Sequence, residues 1–346
     1  MPKTYFFRDR PIFGITISHS DVQVMQVTHK DDKLVIRGYG AGVLDDNTVK
    51  DGIITNPESV ARSIRLLLDN ALQGKVTTDR LAFSIPSART FSRAVTMPNL
   101  PPEQLAEAVM LETEQYTPVA IDNLYVDYTP INKIDDQTEI FTVAASKQVI
   151  DSYLEVAKQL QLEPVLIETR ADSVQRLFAK TKFGGIPSVL IDFDKDMVDI
   201  SIVDKHIVAT ATVTTGPDFN NQITKALASK PALPKLQPVV DEQTEASKGD
   251  NQLQQFIKEI RRMVRYYEER YDRTRQIEQI VLVGDEARIP SLAALMTDQL
   301  RLAVRTVDLW QLFDYEHDLS PLPVNASAPY IAVAGLASVD QAEVFA

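Results

Sequence analysis

The chain reads the same order of elements twice, and this constrains its fold more than any single motif. Three apolar strand-like runs lie near residues 12–17, 22–29 and 33–43, and "NPESVARSIRLLLDNAL" then follows with helical periodicity. Asn56 is placed to cap that helix, with Pro57 at its first position. The same order returns from Pro187: "SVLIDF", "DMVDISIV" and "HIVATATVTT" read as strands, and "GPDFNNQITKALA" opens a helix. Residue identities barely match between the copies, but order and lengths do. Two halves descended from one unit would leave this pattern.

Between the copies, 81–165 has its own rhythm. "RLAFSIP" and "FSRAVTM" read as strands, "PPEQLAEAVMLETEQY" as a helix, and "LYVDYTPI" and "EIFTVAAS" as strands. The helix "KQVIDSYLEVAKQLQL" closes the block. Residues 230–250 are rich in proline and charge and read as a mobile loop. The helix after them places Leu253, Phe256, Ile257, Ile260, Val264, Tyr267 and Tyr271 on one face, with Lys258, Arg261, Arg262 and Arg265 mostly on the other. Further on, "QIVLVGDEARIPSLAALMTDQL" reads as strand, turn and helix, "AVRTV" as a strand, and "PYIAVAGLA" as the opening of a last helix.

Composition narrows the function classes. The 346 residues carry a net charge of −12, which repels phosphate backbones and argues against nucleic-acid binding. There are no cysteines, so disulfides and thiolate metal sites are excluded. The four histidines, His19, His29, His206 and His317, lie far apart without metal-ligand spacing. "DFDKDM" imitates the start of a calcium loop, but Met197 stands where that loop needs glycine and Val203 where it needs glutamate. The N-terminus has no signal-peptide run, and no window approaches the roughly 18 apolar residues that span a bilayer. The expectation is a cytoplasmic protein without a resident metal.

The block "AFSIPSARTFSRAVTMPNLPPEQLAEAVMLETEQYTPVAIDNLYVDY", Ala82 to Tyr128, resembles the type IV pilus assembly PilM family, in the actin-like ATPase superfamily and related to the cell-division protein FtsA. "DGIITNPESVARSIRLLL", "QIVLVGDEARIPSL" and "IAVAGLA" are similar too, so the resemblance spans about residues 12–337. It implies an α/β, actin-like (ribonuclease H-like, duplicated) fold with two halves around a nucleotide cleft. The implied first half is 1–80 with 166–186, interrupted by an inserted subdomain at 81–165. The second half is 187–229 with 276–346, and 230–275 forms its small subdomain.

The resemblance also implies a cleft for ATP and magnesium, and the residues depart from it. Aligned on Gly14, the first phosphate turn has Thr16 in place of aspartate, Ser18 in place of glycine and Gln23 in place of lysine, with His19 in the bend. The second turn keeps Asp192, but Asp194 replaces its glycine and Asp196 follows. Gly216 heads the next helix, and the adenosine-side turn keeps Gly284 before Asp285 and Glu286. Side chains at Ser18 and Asp194 fill space that backbone amides need to reach phosphate. A carboxylate ~4 Å from a phosphate charge costs ~4 kcal/mol at an effective dielectric of 20. The acidic pair can instead hold magnesium. The expectation is a degenerate nucleotide site and a protein that is not an enzyme.

The family further implies a scaffold of a type IV pilus, or a related secretion or competence machine. Its partner is the short N-terminal tail of a PilN-like inner-membrane protein, beside other platform proteins, so the chain meets the membrane through that partner alone. The tail's groove lies between the first-half core and the inserted subdomain. Leu105, Val109, Glu112 and Tyr116 are its candidate contacts, although Leu105, Val109 and Glu112 share a face by i, i+4 spacing and could pack on their own sheet. Two alternatives remain: an active ATPase or sugar kinase of the superfamily, and a filament-forming, membrane-binding protein like FtsA. The cation-free tail "SVDQAEVFA" speaks against membrane binding.

Overall fold

The computed structural model describes residues 10–30, 33–194, 197–214, 248–271, 274–284, 292–323, 328–340 and 344. Its described residues divide into two compact units, one from Met1–Gly184, His206–Thr210 and Leu309–Ala346, the other from Gly185–Lys205 and Ala211–Asp308.

Unit 1 is built on the meander β1 (Phe13–Ile17), β2 (Asp21–Lys30) and β3 (Lys33–Val43), all antiparallel neighbours. The short pair β4 (Val49–Lys50) and β5 (Ile53–Ile54) leads into α1 (Pro57–Asn70). Asn56 caps α1 as expected, accepting the Ser59 N–H at 3.1 Å, and Val60, Ile64 and Leu67 form its buried stripe. After β6 (Gln73–Gly74) the chain enters β7 (Arg80–Ile85), which runs parallel to β1. Every residue of β7 is buried, as both faces of a central parallel strand require.

A second layer follows: β8 (Thr90–Pro98), α2 (Pro102–Tyr116), β9 (Leu124–Ile134) and β10 (Gln137–Ser146). Strand β10 lies between β8 and β9, antiparallel to both. Helix α2 covers one face of these strands through Val109, which meets Val95, Met97 and Ile140. Helix α3 (Lys147–Leu160) then packs beside α1 over Phe13, Ile15 and Phe83. Strand β11 (Glu163–Thr169) pairs parallel with β7, and α4 (Arg170–Ala179) follows.

Unit 2 repeats the plan. Strands β12 (Ser188–Phe193) and β13 (Met197–Asp204) are antiparallel, and the sheet order continues into β14 (His206–Thr214), whose residues from Ala211 on belong to this unit. Helix α5 (Lys248–Arg270) buries Phe256, Ile257, Ile260, Met263 and Tyr267. Strand β15 (Gln279–Gly284) runs parallel to β12, α6 (Leu292–Leu300) follows, and β16 (Ala303–Thr306) runs parallel to β15. The order β16-β15-β12-β13-β14 thus copies β11-β7-β1-β2-β3. At the Asp204 end of β13, the Tyr267 hydroxyl donates to that carboxylate at 2.8 Å and Arg275 pairs with it at 2.8 Å.

Several boundaries run differently from expectation. "RLAFSI" is β7, a core strand between β1 and β11, and α3 packs on α1, so the separate layer begins later and ends earlier than 81–165. Residues 309–346 lie in unit 1, where 276–346 was expected in the second half. There β17 (Phe313–Tyr315) extends the sheet beyond β3, and α7 (Ile331–Ala337) is buried throughout. Helix α7 can come this close because β1 and α7 each carry a glycine. A Cβ on Gly14 would stand 3.1 Å from the Val333 carbonyl, and one on Gly335 1.9 Å from the Ser173 carbonyl of α4. Among the expected features, the helix opening at Gly216 and most of the 230–250 loop lie outside the described residues.

Candidate functional site

The first turn closes on itself. The backbone N–H of Ser18 donates to the Asp21 carbonyl at 2.8 Å. The Ser18 hydroxyl oxygen accepts the N–H groups of Ser20 and Asp21, at 3.2 and 3.0 Å. These are amides of the kind a phosphate-binding bend directs at its ligand. Behind the bend, Thr16 donates to Gln23 Oε1 at 3.1 Å, and the Gln23 amide donates to Asp21 Oδ1 at 3.1 Å. Thr16 and Gln23 stand opposite each other in the β1–β2 register, so Gln23 turns inward, buried. His19 is exposed at the tip. The structure therefore brings Thr16, Ser18 and Gln23 into one hydrogen-bonded cluster.

In unit 2, Asp192 is buried directly opposite the equally buried Asp199, whose carboxylate accepts from the Thr212 hydroxyl. Asp194 N–H donates to the Met197 carbonyl at 2.9 Å and closes the β12–β13 bend. Gly284 has φ +95°, and a Cβ there would stand 2.3 Å from the Phe193 carbonyl. Close approach of β15 to β12 thus accounts for this glycine by itself. Asp196, Gly216, Asp285 and Glu286 lie outside the described residues. Among the described residues, no three His, Asp or Glu side chains gather as a metal site would need.

The α2 residues expected at a partner groove mostly face inward. Val109 is fully buried and Leu105 packs beside it, so these two hold α2 on its own sheet. The half-buried Tyr116 shares a 2.7 Å hydrogen bond with the Thr142 hydroxyl, and the Arg93 guanidinium lies 5.4 Å from its ring centre. Glu112 is half-buried beside them. Met110 and Leu111 are the large hydrophobic side chains that α2 leaves exposed, at 40% and 64%.

A groove of about 320 Å³ does lie within unit 1, on the other side of that sheet. Its lining comes from β9 (Tyr125 to Thr129), β10 (Phe141, Val143), α3 (Ile150) and the stretch Leu166 to Thr169 of β11, with Asp172 of α4. The register puts Tyr125, Asp127 and Thr129 opposite Ala145, Val143 and Phe141, so these side chains share the face turned from α2. The charged side chains of the lining are Asp127, Glu168 and Asp172. Glu168 is paired with Arg176 at 2.6 Å and accepts from Ser173 at 2.7 Å. Asp172 forms a capping box with Thr169 at the start of α4. Burial and the neighbouring Glu168 push its carboxyl up to about 6, against the pull of Thr169 and Arg176. Sequence reasoning placed a groove in this region but named none of its lining residues.

A sheet order of two parallel and three meander strands, present twice with helices packed on it, defines an actin-like protein. A solved structure titled "PilM-PilN type IV pilus biogenesis complex" has this fold at TM-score 0.74 and 19% identity, covering 95% of this chain and 98% of that one. Residues 14–223 match the family model described as type IV pilus assembly protein PilM, and the chain belongs to that family. Ethanolamine utilization protein EutJ from Carboxydothermus hydrogenoformans is similar at 12% identity and TM-score 0.46, over 94% of this chain and 88% of that one. MreB 5 of Spiroplasma citri bound to AMPPNP is also 12% identical, with TM-score 0.46 over 94% and 95%. These two scores are too low to support an argument. No curated protein sequence matches.

Proposed function

We propose that this protein is a scaffold of a type IV pilus assembly platform and that its unit 1 groove holds the N-terminal tail of a PilN-like membrane protein. The groove itself carries the reading: an open, largely apolar channel of about 320 Å³ lined by β9, β10 and β11. Extended peptides bind such channels through main-chain pairing and a few apolar anchors. Family membership and the likeness to the PilM-PilN complex support the same assignment. Among the described residues no helix is long and apolar enough to cross a membrane, so attachment through a partner is the route proposed.

We further propose that partner binding needs no nucleotide. Ser18 supplies internally what a phosphate would supply, because its hydroxyl oxygen already accepts two amides of the bend. Thr16 brings no carboxylate for magnesium. Calorimetric titration with Mg-ATP, alongside titration with the tail peptide, tests both statements. Micromolar peptide binding with no heat from Mg-ATP is expected. Micromolar ATP binding would overturn the account of the turn, and absence of peptide binding would overturn the scaffold reading.

A further inference from the structure

Helix α2 turns an acidic, partly apolar face to solvent. From Ala94 to Asn132 the chain carries Glu103, Glu107, Glu112, Glu114, Asp122 and Asp127 and no lysine, arginine or histidine. The inner side of α2 is Val109 and Thr113, both buried, with Leu105 beside Val109. On the opposite side Glu103, Glu107, Met110, Leu111 and Glu114 are all exposed. Glu103, Glu107, Met110 and Glu114 follow one another at steps of three and four, so they form one stripe, with Leu111 along its flank. Other helices balance such acids: α1, α3 and α5 each pair one with a cation three or four residues on, as Glu58–Arg62, Glu155–Lys158 and Glu259–Arg262. Among the described residues no α2 glutamate forms an ion pair. The arrangement costs the helix. Glu103 and Glu107 are like charges at i, i+4, and Glu114 stands in a last turn that has no cation, against the macrodipole. Exposed apolar side chains set among such acids mark a face that something else covers.

We propose that the outer face of α2 docks a basic amphipathic helix of another protein. This surface is separate from the groove, because its side chains point away from the sheet that α2 covers. Charge sets the class of the occupant. Glu103, Glu107 and Glu114 repel an acidic segment, nucleic acid and anionic lipid, and attract lysine and arginine. Geometry sets its form. A helix face offers side chains and no main-chain edge, so an extended segment finds no ladder to join, whereas a second helix can pack its ridges along the stripe. Glu107 and Glu114 are seven residues apart, about 10.5 Å along the axis. A helix laid beside α2 meets them with two cations also seven apart. The third and fourth positions between those cations then fall on Met110 and Leu111, where leucine, methionine or phenylalanine covers them. Exposed ion pairs add little affinity, so the apolar contact holds the helix and the glutamates choose and orient it.

The test titrates the full chain, by calorimetry at physiological salt, with a synthetic helical peptide of alanine, leucine and lysine about three heptads long. Its lysines stand seven residues apart, with leucines at the third and fourth positions between them. A peptide of the same composition in scrambled order is the control. Micromolar binding of the ordered peptide is expected, with a loss of about tenfold or more in Met110→Ser/Leu111→Ser and in Glu107→Gln/Glu114→Gln. Asp46→Asn/Asp69→Asn removes two exposed acids outside α2 and is expected to change affinity by less than about twofold. Absence of binding overturns the proposal. So does equal binding of the scrambled peptide, or an equal loss in the Asp46/Asp69 variant, because the chain's net charge of −12 would then account for the attraction. Sedimentation velocity of the full chain covers the other occupant: self-association that the Met110/Leu111 variant abolishes would assign the face to a second copy and overturn the partner helix. Titration with the PilN-like tail peptide is expected to be the same in that variant as in wild type, which keeps this surface distinct from the groove.

Discussion

Asp172 is an acid whose position costs the fold stability at neutral pH, and replacing it with asparagine measures that cost. Its carboxyl titrates near 6 in the folded chain against 3.8 ordinarily, because burial and Glu168 disfavour the charge. The sign follows from linkage. Well below pH 3.8 the group is protonated folded and unfolded, and nothing is lost; the cost builds between 3.8 and about 6 and is constant above. As pH rises through 6 the unfolded chain has long released its proton, and the folded chain must release it into an unfavourable site. A rise of about two units corresponds to ~3 kcal/mol, and opening of the side chain towards the groove reduces this to about 1–2 kcal/mol. Asparagine keeps an oxygen to accept from the Thr169 N–H and hydroxyl, as Asp172 does at 3.2 and 2.6 Å. Asp172→Asn is therefore expected to raise stability by about 1–2 kcal/mol at pH 7.5 and to change it by no more than about 0.2 kcal/mol at pH 3.5. Urea titrations at the two pH values, read by far-ultraviolet circular dichroism, measure it. Asp172→Ala separates charge from capping, because it removes both, and loss of the cap costs about 1 kcal/mol at either pH. A D172N variant no more stable than wild type at pH 7.5 would refute the argument. If instead stability rises while tail affinity falls, the acid is kept for binding, the expected trade at a functional site.

The other predictions concern the fold. Ser18→Gly removes the acceptor for two bend amides and should lower stability by about 1 kcal/mol in a urea titration, with both strands of the hairpin retained. Gly335→Ala sets a Cβ 1.9 Å from the Ser173 carbonyl, so the α4–α7 contact must open; a loss of about 3 kcal/mol or more is expected by the same assay. Gly284→Ala meets both a left-handed φ of +95° and the Phe193 carbonyl, and should cost about 2–4 kcal/mol without any ligand present. Tyr267→Phe leaves the buried Asp204 carboxylate with Arg275 but without the hydroxyl, a loss of about 1–2 kcal/mol in thermal unfolding.

The elements with strong periodicity were legible. Strands β1 to β3 and β12 to β14 lie within a residue or so of the runs read from the sequence, and the repeat of their order holds in the sheets. What escaped lacked local punctuation. Helix α3 ends at Gln161 with φ 58°, a left-handed position that glycine would have flagged, so the start of β11 carried no turn signal. Helix α4 opens on Thr169 with Asp172 in the third position, a capping box without the usual glutamate or glutamine. The α2 stripe shows a different limit. Leu105 and Val109 were correctly placed on one face, but an apolar face has the same pattern whether a sheet or a partner covers it. The groove was hardest to read, because residues near 85–90, 125–129, 141–150 and 166–172 meet there only through long-range strand pairing.

The two candidate sites differ in how their polar groups are satisfied, and this bears on which of them binds. At the first turn the groups satisfy one another: Ser18 takes the Ser20 and Asp21 amides, and Thr16, Gln23 and Asp21 form a chain. A ligand there would have to break bonds as good as those it makes, so net affinity would be small. At the groove the balance is reversed. Leu166 and Ile167 are only half covered, the outer edge of β9 carries main-chain groups beyond its ladder, and Asp172 sits charged at neutral pH in a place that resists charge. If the groove holds the proposed tail, apolar side chains of that tail would cover Leu166 and Ile167. In unit 1 such incompletely satisfied groups gather at the groove, while the β1–β2 turn closes on its own side chains.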